Sequence, residues 1–105
     1  RSGRFVPAEA TLATPHEILD LAVHNYHAGM LKLAGEAQTR FPAEERHLGA
    51  VTVTIPRAML PELKAELAAF QERLLDLCDS STAPGEQVFQ INLQCFPLSA
   101  PPEGT

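Results

Sequence analysis

The sequence predicts an α/β fold in the order helix, strand, helix, strand, with two long amphipathic helices packed on a small sheet. Three observations point there. Apolar residues recur at alternating steps of three and four from Leu19 to Ala37 and again from Leu60 to Leu77, the period of a helix with one apolar stripe. Residues 50–55 (AVTVTI) and 87–98 (QVFQINLQCFPL) instead alternate at period two, with the β-branched and aromatic residues that suit a strand. Prolines and polar clusters punctuate the segments between them.

In chain order, residues 3–7 (GRFVP) read as a short strand stopped by Pro7, and 8–15 as a connector. The first helix opens at Thr14. Its hydroxyl can cap, Pro15 suits the first turn, and Glu17 lies near the positive helix end. The helix is expected from about Pro15 to Thr39, stopping before Phe41-Pro42, because a residue before proline avoids the helical region. Its stripe is Leu19, Val23, Tyr26, Met30, Leu33 and Ala37, widened by Ile18, Ala22 and Ala34. Gly29 and Gly35 weaken it by up to ~1 kcal/mol each against Ala, and leave room for another element to approach. Residues 41–49 form a polar connection with room for one helical turn, in which Arg46 can tie the loop to the rest.

In the strand at 50–55, Val51, Val53 and Ile55 face one way and Thr52 and Thr54 the other. Pro56 ends it. The second helix tolerates Pro61 in its first turn and carries the stripe Leu60, Leu63, Leu67, Phe70, Leu74 and Leu77. Glu62, Lys64, Glu66, Gln71, Glu72, Arg73 and Asp76 make its solvated side, as an amphipathic helix requires. Residues 79–85 are a loop. In the closing strand Phe89, Ile91, Leu93 and Cys95 point one way, as the dimer or packing face, and Gln90, Asn92 and Gln94 the other. A long helix between two strands favours a parallel pair with a right-handed crossover. Two strands alone make a poor sheet with an open edge, so a second copy is expected to complete it to four strands.

At 105 residues the chain is one domain's worth. It is 45% hydrophobic and 6% aromatic, without Trp, which predicts a small core of Leu, Val, Ile and Ala. Eight Lys and Arg stand against 13 Asp and Glu, for a net charge of -5. That balance argues against a chain that grips a phosphate backbone by itself. The absence of a run of about 18 apolar residues predicts no membrane span. There is no basic-then-apolar leader, and two Cys are too few for a disulfide scaffold. A cytoplasmic protein with free thiols is therefore expected, with Cys78 and Cys95 serving as small buried hydrophobes. Beginning at Arg1, the chain reads as a fragment or a processed product, and its tail, 99–105 (SAPPEGT), as a disordered end.

Little in the sequence carries reaction chemistry. It holds no phosphate-binding glycine loop, no nucleophile elbow and no motif of paired acid and base carboxylates. Neither an enzyme nor a cofactor is expected. Asp20, His24 and His27 share one helical stripe that Glu17 extends, a spacing able to hold a divalent metal. The plainer reading is a solvent face. Gln90, Asn92 and Gln94, with Tyr26 and His27, could line a small-molecule or partner site. The plainer reading there is the wet side of a half-exposed sheet.

Residues 45–99 (ERHLGAVTVTIPRAMLPELKAELAAFQERLLDLCDSSTAPGEQVFQINLQCFPLS) resemble the end of a bacterial family of transcriptional regulators. This is the second-largest paralogous family first noted in Fibrobacter, whose C-terminal region is a domain of unknown function. The family shows an acidic-arginine pair, a strand of Thr or Ser with Val or Leu, and a long helix of Glu, Lys and Leu. It closes on a strand like VYQLNIQLFPL; residues 88–98 read VFQINLQCFPL. Asn25-Tyr26-His27 and Met30-Leu31 extend the likeness upstream, so that it covers about 3–99. Pro56-Arg57 stands where the family has a Ser/Asp-Glu cap, Cys95 where it has an aliphatic residue, and His47 where it has Asp.

The resemblance implies a DNA-binding helical region and a winged-helix-like stretch ahead of this segment. Residues 1–13 would then be the end of that stretch and a connector, and 14–98 a C-terminal regulatory domain. The implied function is regulation and dimerisation within a cytoplasmic transcriptional regulator. Its partners would be a second copy and a small-molecule effector, with DNA met only through the N-terminal region. The alternative is a small-molecule or metal-sensing domain of such a regulator.

Overall fold

A computed structural model describes residues 14–102, so the short strand expected at 3–7 lies outside the described residues. The chain divides into two units, Arg1–Leu48 and Gly49–Thr105, and among the described residues each carries one long helix.

In the first unit, helix α1 spans Pro15–Arg40. Its start is a reciprocal capping box. The Glu17 backbone N–H donates to Thr14 Oγ1 at 3.1 Å, and the Thr14 N–H donates to Glu17 Oε1 at 3.1 Å. Two donors that a helix start leaves orphaned are thus satisfied locally. At the other end, Arg40 lies 3.8 Å from Glu36 and its guanidinium sits 5.7 Å from the Phe41 ring centroid. A cation there favours the negative helix end. Phe41 leaves the helix at φ -122°, ψ 146°, as the residue before Pro42 must. A single tight turn, Ala43–Glu45, follows. Arg46 then folds back, its Nε donating to the Phe41 carbonyl at 2.9 Å, and so ties the connector to the helix end.

In the second unit, helix α2 spans Leu60–Asp79. No side chain caps its start. The tight turn Arg57–Met59 does that work instead, with the Met59 N–H donating to the Pro56 carbonyl at 2.9 Å. Pro61 falls among the first helical positions, where no amide donor is missed. Ser80 closes the other end through its N–H to the Asp76 carbonyl at 3.0 Å and its Oγ to the Leu77 carbonyl at 2.7 Å.

The α/β expectation is corrected. Both long helices form, but the described residues contain no strand and no sheet. Residues 50–55 and 87–98 lie outside regular structure, so the strand pair and its four-stranded completion by a second copy both fall. The reason is that period-two alternation only says which side chains would share a face. A strand also needs a neighbour to take its amides and carbonyls, and that neighbour is not written in the alternating segment.

The expected core is corrected as well. No described residue is buried. Met30, Ala34 and Ala37 on α1, and Leu63, Leu67 and Leu74 on α2, are only half-buried. They lie on the stripes that the periodicity marks. Cys78 and Cys95 are exposed free thiols rather than buried ones. Among the described residues, no helix is long and apolar enough to cross a membrane.

A Cβ placed on Gly29 or Gly35 would meet nothing within 4 Å, so neither glycine serves the close approach expected of it. Gly29→Ala and Gly35→Ala should each stabilise α1 by up to about 1 kcal/mol. The check is a rise in melting temperature and helical circular dichroism. A loss in both would mean that the glycines make room for something.

Candidate functional site

The helical stripe read as a possible metal site is spoken for at its start. Asp20 Oδ2 lies 3.3 Å from His16 Nε2, one turn back. His16 sits in the first turn of α1, four residues before Asp20. The four-residue spacing was the signal for that pair. His27 packs edge-on against Tyr26, with ring centroids 5.4 Å apart. Among the described residues, no three His, Cys, Asp or Glu side chains gather where they could hold a metal ion.

Glu17, which extends the stripe, is committed to the cap. The Thr14 backbone N–H, and next the Thr14 side chain, hold its carboxyl below the usual carboxylate range. Both bonds favour the ionised form.

Gln90 Nε2 donates to Asn92 Oδ1 at 3.0 Å, so these two side chains share a side. Asn92 is half-buried while Gln90 and Gln94 are exposed. Of the apolar set expected for packing, Leu93 is half-buried. Phe89 is 67% and Ile91 56% exposed, and Cys95 is exposed. Tyr26 and His27 belong to the first unit and the polar face to the second.

The feature with most physical consequence is the apolar stripe of α2. Leu63, Leu67 and Leu74 are half-buried, whereas Leu60 and Phe70 are each 42% exposed and Leu77 69%. Arg73 lies over the Phe70 ring, 5.6 Å from its centroid. That contact draws a cation to the edge of the stripe. Arg73 belongs to the side expected to be solvated; its three-residue spacing from Phe70 is the signal for the contact.

The chain belongs to the family described as Domain of unknown function (DUF4423), whose model matches residues 1–98. No curated protein and no solved structure matches it.

Two outcomes follow. Zinc in excess should leave the melting temperature unchanged, because only a site held by the native fold stabilises it on binding; a clear rise would restore Asp20, His24 and His27 as ligands. The Glu17 cap should also make α1 pH-dependent. A depressed folded pKa gives stabilisation that is full above the unfolded carboxylate value, about 4.3. It is lost as pH falls through the lower folded value. Helical circular dichroism should therefore fall in acid, and Glu17→Gln should remove that component; an unchanged acid profile in the variant would refute it.

Proposed function

We propose that this chain is a regulatory and assembly domain of a cytoplasmic bacterial transcriptional regulator, acting as a homodimer and meeting DNA through another part of that regulator. One observation carries the assembly reading. The described residues include no buried one, and the apolar stripes of both helices remain partly open. Surface of that kind is stabilised by contact with another protein surface. The regulator context rests on the likeness of the closing residues 88–98 (VFQINLQCFPL) to those of the regulator family. The net charge of -5 supports a division of labour in which this segment does not hold the phosphate backbone.

A ligand-sensing reading would place a small-molecule effector on Gln90, Asn92 and Gln94. The bond between Gln90 and Asn92 already engages a donor and an acceptor of that face, so assembly is the reading we favour.

Sedimentation equilibrium of the 105-residue chain should give a dimer mass across a wide concentration range. A monomer at the highest concentration reached would overturn the assembly reading. The same chain should leave duplex DNA unretarded at physiological salt. Retardation would mean that the acidic segment itself contacts DNA.

A further inference from the structure

We infer that α2 is the dimer seam, and that its occupant is the α2 of a second copy running antiparallel to it. The inference rests on the assembly reading above and names the surface that would carry it. The stripe Leu60, Leu63, Leu67, Phe70, Leu74 and Leu77 repeats every seven residues in two positions, the spacing of a helix–helix seam. With no sheet among the described residues, the cover first expected for this stripe is gone. The second unit itself leaves Leu60, Phe70 and Leu77 among its exposed large apolar residues.

The charges beside the stripe say what fits. Glu66 and Arg73 stand on the same border, seven residues apart. Two helical turns separate them by about 10 Å along the axis, too far to pair with one another in one helix. Neither takes part in an ion pair among the described residues. A parallel second copy would set Glu66 beside Gln71, which answers no charge. An antiparallel copy, centred between Leu67 and Phe70, sets Glu66 of each chain beside Arg73 of the other. Opposite charges then meet twice, once at each side of the two-fold axis. The same register places Leu60 on Leu77, Leu63 on Leu74 and Leu67 on Phe70, so every apolar position meets an apolar one. Arg73 is already drawn over Phe70, which holds its charge at the border where that partner glutamate would lie.

Charge exchange tests the seam on the whole chain. Glu66→Arg sets arginine against arginine at both sides, and Arg73→Glu sets glutamate against glutamate. Each should raise the dimer dissociation constant about tenfold at low salt, and the effect should shrink as salt is added. The double exchange, Glu66→Arg with Arg73→Glu, recreates both opposite-charge contacts and should restore the original constant. Helical circular dichroism confirms that each variant keeps its helices. Two single variants that dimerise as well as the parent would overturn the seam while leaving the assembly reading standing. Weakened singles that the double exchange fails to rescue would overturn the antiparallel register. A parent chain that stays monomeric would overturn the reading beneath both.

Discussion

An amphipathic helix draws most of its stability from whatever covers its apolar face, since helix propensity alone leaves even a long helix marginal in water. Here two helices, Pro15–Arg40 and Leu60–Asp79, each carry such a face, and the described residues cover each only in part. The local devices at the helix ends are well made. Thr14 and Glu17 cap α1 reciprocally, and Arg46 fastens the loop behind it. Such bonds fix where a helix begins and ends, but each is an exposed local bond whose net contribution is small. They cannot stand in for an apolar core, whose contribution grows with the area removed from water. The missing cover is therefore the constraint on which the rest of the structure depends.

That constraint also explains which parts of the fold were legible in the sequence. The start of α1 near Pro15 was legible because the Thr14 hydroxyl, Pro15 and Glu17 lie within four positions. Its end at Arg40, one residue past the expected Thr39, follows from the backbone rule for a residue before proline. The apolar stripe of α2 was legible because helical periodicity is a property of one segment. The sheet failed for the opposite reason. Val51, Val53 and Ile55, or Phe89, Ile91 and Leu93, alternate as strand residues do, yet pairing is settled by groups far away in sequence or in another chain. Burial failed with it. The expected core needs the helices to pack on a sheet, and without that sheet Cys78 and Cys95 are exposed.

The candidate chemistry divides along the same line. Side chains three or four positions apart on a helix meet their neighbours before they meet a ligand. Asp20 lies beside His16, Glu17 is bound into the cap, and Arg73 rests on Phe70. All three contacts follow from helical spacing alone. What spacing could not supply was a convergent site, because convergence needs elements brought together in space. A second Asp, His or Cys from another segment would have been required to turn the stripe at Asp20, His24 and His27 into a metal centre.

In the proposed dimer, an acidic chain that closes its apolar face on a second copy works against its own net charge. Two chains of charge -5 repel at long range, and salt screens that repulsion within about 10 Å at 0.1 M. In that proposed dimer the apolar stripe would supply the affinity, because burying it gains free energy whatever the ionic strength. The charges at its border serve another purpose. Exposed ion pairs add little to binding, but the wrong juxtaposition is costly, so they select among orientations of equal apolar content. A face of six nearly equivalent apolar side chains does not by itself distinguish parallel from antiparallel. Glu66 and Arg73 do, because reversing one helix against the other is what brings a residue of each sign to the same place.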